Sequence, residues 1–250
     1  MKTKIFLLIS VMLLTFCLFS CGGVVSVELN GGTAEALSTD GASISQVLRT
    51  TPKKDGFIFG GWYSDDSLTQ LVTSKSEDLN QVTNLYAKWI TAEVKDYDVR
   101  FYPSTITDSG RKYQQCDIVR LCDDFDYQGL IFAGYTKFKV TFTFEISEQH
   151  DGYQYVFLYK NQNCVDTASL DYFVSNKLYG KTPEDPTLLS SYRFEHSPGV
   201  VDKSWDQYSF TSYIDIADLE KELYIRYGAS GKYDDNWLNQ NVCLRVEPLK

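Results

Sequence analysis

The sequence predicts a mainly β chain in two parts, a small α+β unit followed by a larger antiparallel β-sandwich of jelly-roll type. Three observations carry that prediction. The aromatics are chiefly 18 Tyr and 15 Phe, against only two Met, a composition that suits pleated, half-buried surfaces. Runs that alternate apolar and polar residues recur along the chain, most regularly over Lys137 to Ile146. The texture also changes near Ile90, dividing residues 24–90 from residues 91–250.

The first residues fall outside that scheme. Lys2 and Lys4 precede an apolar run from Ile5 to Phe19, interrupted only by Ser10 and Thr15. A membrane-spanning helix needs about 20 apolar residues; this shorter run has the length of a signal-peptide core. It ends in Leu18-Phe19-Ser20-Cys21-Gly22-Gly23, which resembles the lipobox of bacterial lipoproteins. The resemblance implies that residues 1–20 are removed, that Cys21 carries a diacylglyceryl thioether, and that residues 21–23 tether the protein outside the cytoplasm to a bacterial membrane. Two or three acyl chains, at about 0.8 kcal/mol per buried methylene, hold a protein there stably.

Losing residues 1–20 removes Lys2 and Lys4 and no acid, so the mature chain is more acidic still than the formal charge of −9. No Lys/Arg cluster remains. Nucleic acid and anionic headgroups, which need a basic footprint, are therefore poor partners.

Within residues 24–90, Val25, Val27 and Leu29 alternate with polar residues and lead into Asn30-Gly31-Gly32, a strand entering a tight turn. Ile44, Val47 and Leu48 are spaced for a short helix over Ser43 to Leu48. Pro52 and Gly56 punctuate the approach to Phe57–Tyr63, a strand expected to turn Phe57, Phe59 and Gly61 one way and Ile58, Gly60 and Trp62 the other. Gly60 and Gly61 weaken a strand unless a bulge forms or a large ring lies on the backbone, and Trp62 and Trp89 are the rings at hand. A phosphate-binding loop needs such glycines ahead of a helix; here a turn follows, Tyr63-Ser64-Asp65-Asp66. The closing strand is Asn84 to Trp89.

Asn30-Gly31-Gly32, Pro52, Gly56 to Tyr63 and Leu85-Tyr86-Ala87-Lys88-Trp89 stand in the order and spacing of the internalin-type B repeat, also called the Listeria-Bacteroides repeat, and the segment resembles that family. The resemblance implies a β-grasp-like module of a bacterial surface protein, acting as a spacer or in adhesion. Only one copy is present, and the stretch from Asp65 to Val82 lacks the midway aromatic of the family.

In residues 91–250, Phe138, Val140, Phe142, Phe144 and Ile146 share one face of a long strand, with Lys137, Lys139, Thr141, Thr143 and Glu145 on the other. Tyr153 to Tyr159 is apolar on both faces and reads as central. Further strands are expected at Tyr192–Glu195, Gln207–Ile216, Leu223–Tyr227 and Asn241–Val246, with turns at Asp151-Gly152, Pro198-Gly199 and Gly228 to Gly231. Only Ile216 to Leu223 reads as briefly helical. Such strands, joined by long polar loops, suggest two packed sheets.

The same region holds the candidate binding residues. Trp205, Tyr208, Tyr233 and Trp237 lie in or beside loops rich in Asp, Asn, Ser and Gly, and Asp234 and Asp235 accompany Trp237. Rings of this kind stack on sugars while polar neighbours take the hydroxyls; capping of the sandwich ends is the plainer use. Cys116, Cys122, Cys164 and Cys243 remain after Cys21. Outside the cytoplasm an even count suggests two disulfides, in one of three connectivities. An extended strand from Cys116 to Cys122 would set its ends about 20 Å apart, beyond the roughly 7 Å that a bridge spans, so that pair is the least favoured. Four packed thiols are the alternative. His150 and His196 are the only histidines and sit in no nucleophile or metal motif, and the acid pairs Asp65-Asp66, Asp123-Asp124 and Asp234-Asp235 show no calcium-loop spacing. No cofactor or metal is expected. The expected function is non-enzymatic adhesion or capture of a glycan or surface protein; an envelope assembly role and a small surface hydrolase are the alternatives.

Overall fold

Val25 and Val27 are buried while Val24, Ser26 and Glu28 face solvent, so the first strand, β1 (Val24–Glu28), is amphipathic with the period of two that its sequence shows. The computed structural model describes residues 23–99, 101–108, 111–147, 152–160, 188–196, 205–219, 223–230 and 239–250. The chain divides into two units between Thr91 and Ala92.

In the first unit β1 runs into Asn30 and Gly31, both at positive φ (47° and 80°), with Gly32 N–H donating to the Leu29 carbonyl at 2.9 Å. Asn followed by Gly suits two consecutive left-handed residues. Strand β2 (Asp40–Ser43) pairs antiparallel with β1 and leads into helix α1 (Ile44–Arg49). Ser43 Oγ caps the helix by accepting from Gln46 N–H, and Ile44 and Val47 enter the core. Strands β3 (Ile58–Tyr63), β4 (Leu71–Val72) and β5 (Asn84–Ile90) complete a sheet in the order β2-β1-β5-β3-β4. β1 and β5 lie parallel at its centre, in register from Ser26 opposite Asn84 to Glu28 opposite Tyr86. A parallel central pair with α1 in the core is the β-grasp arrangement.

The expected alternation of β3 fails at its glycines. Phe59 lies opposite Trp89 and Trp62 opposite Ala87, so three steps along β3 answer two along β5. Gly61 sits at φ 114°, and the extra residue forms a bulge. The bulge returns Trp62 to the face of Phe59: both rings join the core of Val25, Val27, Val47, Leu85 and Ala87, with centroids 5.2 Å apart. A second glycine carries the tryptophan contact. The Trp89 ring occupies the space where Gly32 would hold a Cβ, and Trp89 Nε1 donates to the Leu29 carbonyl at 2.9 Å.

The second unit contains β6 (Lys95–Asp98), β7 (Phe101–Asp108), β8 (Arg111–Val119), β9 (Lys137–Ser147), β10 (Gly152–Tyr159), β11 (Leu188–His196), β12 (Trp205–Asp215), β13 (Leu223–Ser230) and β14 (Asn239–Leu249). One sheet has the order β11-β10-β13-β8-β7, the other β12-β9-β14-β6, and each pairing is antiparallel. With β7 set aside as an added edge strand, the remaining eight follow the double Greek-key order of a jelly roll: first, eighth, third and sixth in one sheet, second, seventh, fourth and fifth in the other. β10 is central, between β11 and β13.

Phe138, Val140, Phe142 and Phe144 of β9 are buried, as are Phe210 and Ile214 of β12 and Val242, Leu244 and Val246 of β14. A fully buried side chain of this size contributes about 1.5–3 kcal/mol, so this face is the main store of apolar burial among the described residues of the unit. Two short helices before β9, α2 (Leu121–Asp124) and α3 (Tyr127–Phe132), were not expected; Phe125 between them lies 4.8 Å from Phe138, ring to ring. Helices of four and six residues are too short to show a period. They also end the extended reading of Cys116 to Cys122, because β8 stops at Val119 and Cys122 lies in α2. The turn expected from Gly228 is strand instead: Gly228, Ala229 and Ser230 pair with Tyr155, Gln154 and Tyr153. Pairing with a central strand overrides the local preference of glycine for a turn. The expected turn at Pro198-Gly199 lies outside the described residues.

Gly32→Ala is expected to lower the stability of the first unit by about 1–3 kcal/mol, because the added methyl meets the Trp89 ring and the Lys53 carbonyl. Gly23→Ala, which meets nothing, is expected to stay within about 0.5 kcal/mol. Urea denaturation followed by tryptophan fluorescence checks both.

Candidate functional site

Of the residues expected to bind, Tyr233, Asp234, Asp235 and Trp237 lie outside the described residues, as do Cys21, Cys164 and His150. Trp205 opens β12, opposite Ser147 of β9. Tyr208, three residues on, is half-buried, and its ring stacks on Phe144 at 5.9 Å with an interplanar angle of 26°. It therefore shares the inward side of β12 with Phe210 and Ile214, and its ring closes the margin of the core.

The other side of the same sheet is more open. Cross-strand rows run from β12 through β9 to β14, and near the far edge to β6. Asp215 meets Lys137 at 2.9 Å, Lys139 meets Glu247 at 3.5 Å, the Thr141 and Thr211 hydroxyls lie 3.2 Å apart, and Arg245 meets Asp96 at 3.1 Å. Exposed ion pairs of this kind contribute little stability. They do balance the charge of the face, so a ligand would meet a nearly neutral surface of hydroxyls and paired ions. From the midst of it stands Tyr213, 59% exposed, in the row of Lys139 and Glu247. Sequence reasoning passed over Tyr213; its signal was the alternation Gln207, Ser209, Thr211, Tyr213, Asp215, the wet side of a strand whose other side carries Tyr208, Phe210 and Ile214.

A second cluster joins β6 to the short helices. Tyr97 donates its hydroxyl to Asp124 at 2.9 Å, and burial, then the Asp124 hydrogen bond and charge, hold the phenol far above its usual range. The Tyr127 phenol is raised likewise, first by burial and then by Cys122 and Asp123. Both shifts favour the protonated phenol; the Tyr97 hydroxyl is tied to Asp124, whereas the buried Tyr127 hydroxyl meets no hydrogen-bond partner among the described residues. Asp123 pairs with Arg120 at 3.4 Å. Asp65 of another acid pair closes a turn, accepting from Thr69 and Gln70 N–H at 3.1 and 2.7 Å. Slight desolvation raises its pKa, but these bonds outweigh it and set the carboxyl below 3.8. Among the described residues no group of three or more His, Cys, Asp and Glu gathers to hold a metal, and no helix is long and apolar enough to cross a membrane.

Cys122 and Cys243 are free thiols, and Cys116 lies on β8 opposite Phe101. Burial, then the carboxylates of Asp96 and Asp98, raise the Cys243 pKa, with Arg245 acting in the opposite direction. A raised pKa leaves less thiolate at a given pH. Without prior reduction, iodoacetamide is expected to label both thiols near pH 8, Cys243 more slowly than a free cysteine, and Asp98→Asn is expected to speed it; peptide mass spectrometry over time reads the rates.

The geometry of the first unit agrees with what known proteins show. Residues 25–88 match the Listeria-Bacteroides repeat domain. Two proteins of Evansella cellulosilytica, provisionally named as a Gly-rich membrane protein and a membrane protein, are each 37% identical over 79 residues, which is 31% of this chain and only 9% and 11% of theirs. Among solved structures, the empty capsid of Triatoma virus overlaps 63% of this chain and 87% of its own at 9% identity and a TM-score of 0.31, too loose to bear on function. The β-grasp unit thus coincides with the segment, residues 25–88, that matches the Listeria-Bacteroides repeat domain.

Proposed function

We propose that this is a bacterial surface lipoprotein, held to the membrane through Cys21, whose second unit binds a glycan or a surface protein without catalysing a reaction. The observation that carries the reading is one of order: a lipobox-type sequence ends at Cys21, and the repeat domain begins at residue 25. The names of the relatives, both membrane proteins, support a place at the cell surface. In the β-grasp arrangement the chain enters at Val24 and leaves at Ile90 at the other end of the parallel pair. Seven residues of β5 alone, at about 3.3 Å each, span roughly 20 Å, which suits a spacer.

For the binding itself, Tyr213 and the balanced polar face around it favour a neutral ligand, since unpaired charge is scarce there. An aromatic ring flanked by hydroxyls is the usual means of holding a sugar. An envelope assembly role is the second reading, favoured by how fully the ions of that face pair with one another.

In cells fed an alkyne palmitate, the full-length protein is expected to carry label and Cys21→Ala to lose it along with membrane fractionation; unlabelled wild type removes the anchor from the reading. On a glycan array, the protein is expected to bind neutral glycans and Tyr213→Ala to lose at least tenfold in affinity, about 1.4 kcal/mol. No hit at all shifts the reading to a protein partner or assembly.

A further inference from the structure

We propose that the repeat domain is a force-bearing clamp, built so that tension along the chain loads the β1–β5 pair in shear. β1 and β5 are adjacent, parallel and hydrogen-bonded, with the chain entering at the start of β1 and leaving at the end of β5. Tension on those two ends draws the strands past each other along their common axis. Every bond across the pair then bears load together. Were the same two strands pulled apart from one end, the bonds would break singly, each at a lower force.

The bonds across this pair reach well beyond its three ladder positions. Ser26 N–H donates to the Thr83 carbonyl at 2.9 Å ahead of the ladder. Past its other end, Asn30 Nδ2 donates to the Ala87 carbonyl at 2.8 Å and Trp89 Nε1 to the Leu29 carbonyl at 2.9 Å. The Trp89 ring fills the space over Gly32, so sliding must also drag an indole across backbone. The Asn30, Gly32 and Trp89 positions of the repeat thus share one task, pinning the segment 26–32 against 83–89. Leu85 and Ala87, wholly buried between these pins, keep water from replacing the bonds one at a time. A protein anchored at one end and bound to a partner at the other would feel such tension. That occasion rests on the surface reading above; the clamp itself does not.

The test holds the full chain in optical tweezers by azide-bearing residues, placed in one form at Gly23 and Thr91 and in another at Gly23 and Thr83. The first pair applies shear and the second peels β1 from β5. At one pulling rate the shear form is expected to rupture at a several-fold higher force, with a length gain on the order of 200 Å, from about 3.6 Å per released residue. Asn30→Ala is expected to lower the shear force and leave the peeling force nearly unchanged. Equal forces in the two geometries overturn the proposal, as does a fall of both forces in the same proportion on Asn30→Ala. The comparison of geometries uses an unaltered core, so it decides even if Asn30→Ala does not fold. Loss of the lipid label would remove the anchor and leave the force ratio unchanged, so the two readings fail separately.

Discussion

The contact of Trp89 with Gly32 is the constraint on which the first unit depends. An indole can lie there only because residue 32 has no side chain, and its Nε1 reaches the Leu29 carbonyl only when it lies there. That contact places the end of β5 beside the turn that follows β1, which fixes the parallel pair, and the pair sets the rest of the sheet around it. Phe59 completes the arrangement, its ring 5.2 Å from Trp62 and 5.7 Å from Trp89. Three rings thus connect β3 and β5, while Trp62 Nε1 reaches back to the Thr50 carbonyl at the end of α1.

The second unit is organised by a strand with two very different sides. β9 pairs with β12 over eleven residues and with β14 along nearly the same length, so its four buried apolar residues and its outward Lys and Thr residues reach most of one sheet. The inward side supplies burial. The outward side supplies only balanced polarity, and that contrast makes it the surface where a partner would change least of what holds the fold together.

Much of this was legible in the sequence, for reasons that differ by element. β1 and β9 show their period plainly because one side of each is wet; β10 was found by its apolar run; α1 by the spacing of Ile44, Val47 and Leu48. β3 misled because a bulge resets the period and leaves no mark in the sequence beyond two glycines. β13 misled because Gly228 can be either turn or strand, and the choice was made by β10, far away in sequence. The short helices α2 and α3 fit no period at all. For the site, aromatic content drew attention to Trp205, Tyr208 and the loop at residues 233–237, yet Tyr208 proved to face inward. Tyr213 had been hidden in plain alternation, since deciding which side of β12 is wet requires knowing what β9 buries.

The bulge in β3 bears on how this unit can vary in length. With Gly60 and Gly61 both present, Phe59 and Trp62 fall on the same side. Removing one of them would leave the two rings two positions apart, on the same side by plain alternation, and would abolish the bulge; adding one would set them four apart, so that the indole could keep its side only by leaving its place opposite Ala87. The spacing of Phe59 and Trp62 therefore tolerates loss of the bulge residue but not a further insertion, which would shift the indole along β5. The turns on either side of β4, at residues 64–70 and 73–78, close on their own hydrogen bonds and carry no such restriction, and insertions that a lineage accumulates in this domain should collect there.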